Sequence, residues 1–128
     1  MNTITTEGVK ITVDTHFRTD LSQVNENQFF FNYDIEIVNN NEFNVQLITR
    51  EWYIFDSLNN PINVKGPGVV GEQPILKPGQ TFKYSSGCQL ISEIGYMNGH
   101  YTFKNQQNND LFNVLIPKFN LIYYPKMN

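Results

Sequence analysis

Apolar side chains recur at every second position along much of this chain. Val9, Ile11, Val13 and Phe17 stand at odd positions, with Lys10, Thr12, Asp14, His16 and Arg18 between them. Successive side chains of an extended strand point to opposite faces, so this spacing predicts a half-buried strand. Phe29, Phe31, Tyr33, Ile35 and Ile37 repeat the pattern against Gln28, Asn32, Asp34 and Glu36, and the cluster Asn39–Asn41 ends it. The next segment has two phases, Val45 and Leu47 in one, Trp52 and Ile54 in the other. One extra residue near Thr49–Arg50, a β-bulge, reconciles them. Asp56–Pro61 reads as a turn, Ile62–Gly66 as a short edge strand, and Lys77–Gln80 as a second turn around Pro78 and Gly79.

The second half continues in the same way. Phe82, Tyr84, Cys88 and Leu90 share a phase, and Met97, Tyr101 and Phe103 oppose Asn98, His100 and Thr102. After a turn at Gln106–Asp110, Phe112, Val114 and Ile116 give way to Phe119 and Leu121 across Pro117. That switch predicts a bulge or an edge position. No segment shows an apolar stripe of helical period. Seven to eight strands separated by short turns predict an all-β fold, an antiparallel sandwich or barrel, with an immunoglobulin-like β-sandwich fitting best.

Composition sharpens this picture in a few places. The 128 residues suit one domain, spanning 1–128. Alanine is absent, while Ile, Val, Phe, Tyr and Thr abound, side chains that fit a pleated sheet better than a helix. The net charge of −3 and the scattered nine Lys and Arg argue against a nucleic-acid partner or an anionic membrane partner. The single cysteine, the lack of an Asn-x-Ser/Thr acceptor and the polar first ten residues lead us to expect a cytoplasmic protein.

The stretch Lys65–Pro74 matches the G-x-G-x-x-G spacing at Gly66, Gly68 and Gly71. Dinucleotide binding by that pattern needs a helix whose free amides hold the pyrophosphate. Pro74 and Pro78 follow too closely for a regular helix, and Pro67 lacks an amide hydrogen. Glu93, 22 residues beyond Gly71, stands near the distance at which such sites place an acid, but spacing alone is weak. The expected role of the loop is therefore structural, its glycines taking positive φ or letting strands approach. The surviving alternative is an anion-binding nest without a helix. The residues that would form either are Gly66, Gly68, Val69, Val70, Gly71, Gln73 and Pro74.

Arg50 to Phe103 closely resembles the ApaG family. The shared pattern comprises Trp52, the run Gly66–Pro74, Pro78-Gly79, Tyr84 with Ser86-Gly87, and Gly95, Met97, Gly99 and Tyr101. Phe112–Leu121 also looks like that family's final strand, whereas the first forty residues match in pattern more than in letters. The resemblance implies a fibronectin type III-like sandwich and a genetic link to cobalt resistance and magnesium efflux, with no established enzymatic activity. Related domains in eukaryotic F-box proteins and in a polymerase-associated protein look like interaction modules.

Other candidate chemistry is sparse. His16 and His100 fall on polar phases of separate strands and are expected at the surface. Cys88 lies on an apolar phase and reads as a small buried hydrophobe. No His/Cys/carboxylate group has ligand spacing, so no cofactor is expected; Asp56 and Glu72 could at most bind Co²⁺ or Mg²⁺ weakly through oxygen, and solvated surface is their plainer role. Ser85 and Ser86 have no recognisable base. Trp52 is expected to fill the core, and Arg50 to pair with a nearby carboxylate. In the tail Leu121–Asn128, Tyr123 and Tyr124 could cover a strand edge, dock on a second subunit or fray.

The expectation is thus a non-enzymatic protein-binding module whose strand edges and Gly66–Pro74 loop contact a protein partner, with a homo-oligomer left open. The alternative is a small-ligand sensor taking a divalent cation or a phosphorylated metabolite at that loop.

Overall fold

The computed structural model describes residues 1–125. Nine strands follow in chain order: β1 Asn2–Thr6, β2 Val9–Phe17, β3 Phe29–Asn39, β4 Val45–Asp56, β5 Ile62–Pro67, β6 Ile75–Leu76, β7 Thr81–Leu90, β8 Ile94–Asn105 and β9 Leu111–Ile122. Two short 3-10 turns, Thr19–Leu21 and Val24–Glu26, bridge β2 and β3. No α-helix occurs among the described residues, and no helix is long and apolar enough to cross a membrane.

The strands form two antiparallel sheets that pack as a β-sandwich. One has the order β1-β2-β3-β7; the other has the order β5-β4-β8-β9, with β6 pairing the first two residues of β4. The alternation read from the sequence places the core. Val9, Ile11 and Val13 of β2, and Phe29, Phe31, Tyr33, Ile35 and Ile37 of β3, face Leu47, Trp52, Met97, Tyr101, Phe103, Val114 and Phe119 of the other sheet. Burying such side chains contributes about 1.5–3 kcal/mol each against the entropy of ordering the chain.

Both phase switches are bulges. In β4 the pairing with β8 shifts between Leu47 and Thr49, so the extra residue is Ile48, just before the expected position. In β9, Pro117 and Lys118 are inserted between Ile116 and Phe119, opposite Asn98 of β8. Two strands were not legible in the letters. β1 is a polar edge strand, and β6 is held by only two pairs.

The two flanks of the sandwich differ. On one, β1 and β2 lie against β9, and the Asn2 side-chain amide donates to the Lys118 carbonyl at 2.6 Å. On the other, the edge strands β5 and β7 leave a cleft between the sheets. The tail follows the closed pattern in part. Tyr123 packs its ring 4.8 Å from Phe17 and 5.5 Å from Phe29, centre to centre, and its N–H donates to the Glu93 carbonyl. Tyr124 is exposed, and residues 126–128 of the tail lie outside the described residues.

Candidate functional site

The glycine loop is a tight turn between β5 and β6, which both pair with β4. Gly66 belongs to β5, and the Gly68 N–H donates to the Ile48 carbonyl at 2.8 Å, tying the loop to the bulge of β4. Val69 and Glu72 exchange both backbone hydrogen bonds, at 2.8 and 2.9 Å. The two residues between them, Val70 and Gly71, have φ of 43° and 81°. Positive φ at both central positions defines a type I′ turn. A β-branched residue rarely adopts this conformation, yet Val70 does so with its side chain 60% exposed, while Val69 is buried in the core.

Further contacts fasten the loop. The Gln73 side-chain amide donates to the Ile48 carbonyl at 2.9 Å, the Leu47 N–H to the Pro74 carbonyl at 3.0 Å, and the Gln46 side chain to the Gln73 carbonyl at 3.1 Å. The amides of Gly68, Val69 and Glu72 are therefore engaged within the fold, and Pro67 has none. Gly68 has φ of 59°, and a Cβ there would fall 2.1 Å from the Glu72 carbonyl oxygen.

Arg50 does not pair with a carboxylate among the described residues, contrary to expectation. Past the bulge at Ile48, even-numbered residues of β4 face inward, so Arg50 lines the cleft beside Trp52 and Ile54. Its Nη1 donates to the carbonyls of Pro67 at 2.9 Å and Gly68 at 3.0 Å. The nearby acid, Glu51, faces outward and binds other groups: the hydroxyl of Tyr53 at 2.7 Å, Asn63 at 3.1 Å, Lys65 at 3.6 Å and His100 at 3.6 Å. The Tyr53 hydroxyl holds the Glu51 carboxyl below the usual carboxylate range.

Trp52 fills the core as expected, its ring 5.4 Å from Tyr33 and 5.8 Å from Phe119. Asp56, by contrast, is not surface. It is 3% exposed, and its carboxylate accepts the backbone N–H of Leu58 at 3.1 Å and of Ile91 at 2.7 Å, so it fastens two turns. Cys88 is free and half-buried on the cleft wall, and burial pushes its thiol up to about 11. Glu72 and Glu93 are exposed.

The histidines lie on different sheets, His16 on β2 and His100 on β8. His16 Nε2 stands 3.2 Å from Asp34 and 3.6 Å from Asp14, and Asp34 also accepts the Ser85 hydroxyl. Only cross-strand register, invisible in the letters, assembles this group. The carboxylate lies between serine and histidine, so the imidazole cannot take the hydroxyl proton as a nucleophile–base pair requires. No three His, Cys, Asp or Glu side chains among the described residues come together to hold a metal ion.

The outer face of β4 and β8 carries a feature that the alternation did not mark. Tyr53 and Phe55 point away from the core, 46% and 36% exposed, and Phe55 stacks on Tyr96 with ring centres 4.9 Å apart. Lys118 Nζ lies 4.1 Å from the centre of the Tyr96 ring. Ile62 extends this exposed apolar surface toward the β5 edge.

Comparison with known proteins gives this arrangement a family. The family model for the ApaG domain matches residues 19–105. The chain belongs to the ApaG family. It is 44% identical over 116 residues to Protein ApaG of Beijerinckia indica and 41% identical to Protein ApaG of Agrobacterium fabrum, covering in each case 91% of this chain and 88% of the relative. Among solved structures, a Bordetella pertussis protein described as ApaA has a TM-score of 0.85 at 37% identity, covering 89% of this chain and 92% of that one. The glycine run that carried the resemblance is thus, in this ApaG chain, the tight turn connecting β5 and β6 along the edge of β4 rather than the start of a helix.

Proposed function

We propose that this ApaG chain is a non-enzymatic protein-binding module whose contact surface is the outer face of β4 and β8 with the neighbouring β5 edge. The observation that carries the reading is the pair of exposed aromatic side chains Tyr53 and Phe55 beside the half-buried Tyr96. Soluble proteins seldom leave adjoining large apolar side chains in water unless a partner covers them. Aromatic groups ringed by charged and polar side chains, here Glu51, Lys65, His100 and Lys118, have the make-up of a binding hot spot with a polar rim.

The strand edges and the loop extend that surface. β5 is an exposed edge strand, open to pairing with an added strand. Val70 is held strained and exposed at the tight turn, where a contact role would explain an apolar residue in so unfavourable a conformation. The order β2-β3-β7 over β5-β4-β8-β9 supports a fibronectin type III-like arrangement, a scaffold that presents loops and edges rigidly. A cytoplasmic setting suits the lone free thiol. A role in cobalt or magnesium efflux would then run through the bound partner.

The test compares proteins retained from cell extract by the tagged chain and by its Phe55→Ser/Tyr96→Ser variant, with Lys10→Ser as a control on the other sheet. The reading expects a defined partner retained by wild type and control and lost from the double variant while its fold persists. Equal retention by all three overturns it.

A further inference from the structure

The open flank holds a second feature, independent of the outer aromatic face. A cavity of about 330 Å³ lies between the sheets, walled by Trp52, Ile54, Val69 and Met97 and reached by the guanidinium of Arg50. That volume is at the lower end of the range occupied by small-molecule ligands. Its polar groups are Arg50, the hydroxyls of Tyr33, Tyr84 and Ser86 and the Cys88 thiol, and no carboxylate among the described residues lines it.

The guanidinium is built in. A Cβ at position 66 would fall 3.0 Å from both Nη1 and Nη2, so β5 carries glycine where the arginine lies across it. Nη1 is fixed by the Pro67 and Gly68 carbonyls. Nε and Nη2 make no hydrogen bond to the described residues. Those two nitrogens form the edge that grips a carboxylate with parallel bonds. The same chain shows that geometry at Arg18, whose Nε and Nη2 hold the two oxygens of Asp20 at 2.8 and 2.6 Å. At Arg50 the equivalent edge meets no acid among the described residues, although a positive charge in a partly desolvated cleft is ordinarily paired.

The remaining groups complement that edge. Ser86 opposes Tyr33 across the β3–β7 ladder, and as the smallest inward side chain of β7 it keeps the cleft open. Tyr33 and Tyr84 line the cleft with Arg50, the Tyr84 hydroxyl hydrogen-bonded to that of Tyr101 behind it.

We propose that this cleft binds a small organic carboxylate, its head group bidentate on Nε and Nη2 of Arg50 and its apolar body against Trp52, Ile54 and Met97. The head group is a carboxylate because the two nitrogens offer a planar fork, and the body is apolar because the far wall is.

The test titrates the isotope-labelled full chain with benzoate, hexanoate and 3-phenylpropionate, reading the Arg50 Nε–H and Trp52 indole N–H signals by NMR. Benzamide, phenyl phosphate and inorganic phosphate serve as comparison probes. The proposal expects at least one carboxylate to shift both signals saturably below about 10 mM and about tenfold more tightly than benzamide or either phosphate. Arg50→Gln should weaken it about tenfold or more. Ser86→Leu, which fills the cleft without touching the Arg50 contacts to the loop, should do the same while keeping a dispersed native spectrum. No saturable shift with any of the three carboxylates overturns the proposal, as does equal binding of benzamide, tighter binding of a phosphate, or undiminished binding by Ser86→Leu.

Discussion

Replacing Gly68 and Gly71 separately by alanine tests whether the glycine run is structural. A Cβ at position 68 would sit 2.1 Å from the Glu72 carbonyl oxygen and 2.9 Å from its carbon, at a backbone φ of 59°. The conformation costs an L-residue about 1–2 kcal/mol. The contact cannot be relieved by rotating a side chain, because that carbonyl already accepts the Val69 N–H at 2.8 Å. Moving it adds about 1–3 kcal/mol of overpacking and about 1 kcal/mol for the weakened turn bond. Gly68→Ala is therefore expected to cost about 3–6 kcal/mol. At position 71 φ is 81° but a Cβ would meet no atom within 4 Å, so only the conformational cost of about 1–2 kcal/mol applies. Urea unfolding reads both, as midpoints shifted at unchanged slope. Gly68→Ala within about 0.5 kcal/mol of Gly71→Ala would refute the reasoning, which attributes the difference to the close approach of Glu72.

Three further outcomes follow from the same geometry. Val70→Asn places Asn-Gly in the type I′ turn and should raise stability by about 1 kcal/mol in the same urea assay; a loss of stability would contradict the strain assigned to Val70. Burial raises the ionisation of Tyr84 and Tyr101 in the folded protein above the ordinary tyrosine value, so the native state holds more protons than the unfolded chain once pH passes about 10, and stability falls from there by about 1.4 kcal/mol per group per pH unit. The pair Tyr84→Phe/Tyr101→Phe should flatten that fall between about pH 10 and 11.5, and an unchanged slope would contradict it. With its thiol pushed up to about 11, Cys88 should react with iodoacetamide at pH 8 about two hundredfold more slowly than an ordinary cysteine, accelerating as pH climbs toward 11; a rate typical of a free thiol would place Cys88 outside the cleft wall.

The strands were legible because one face of each is buried, which imposes alternation on the letters. The bulges were legible for the same reason, since one inserted residue reverses the phase, as at Ile48 and Pro117. β1 escaped because its side chains are mostly exposed at an edge, leaving no buried face to mark it. That no helix follows the glycine run was readable from Pro74 and Pro78, but the positive φ of Val70 was not, because nothing in a valine announces it. Arg50 was read as the partner of a nearby carboxylate, which none of the described residues supplies. Its signal was the phase of Trp52 and Ile54, which carried back two residues turns Arg50 inward. The outer aromatic surface had a signal too, in the unbroken apolar run Trp52–Phe55, which gives β4 two apolar faces. The grouping of Ser85, Asp34 and His16 depends on β2-β3-β7 register and had none.

The most direct test of the proposed contact surface is photo-crosslinking in living cells, with a light-activated residue placed at position 55 and, separately, at position 12 on the outer face of the other sheet. The account predicts a discrete crosslinked protein from position 55 and none from position 12. A partner captured only from position 12, or none from position 55, would contradict it.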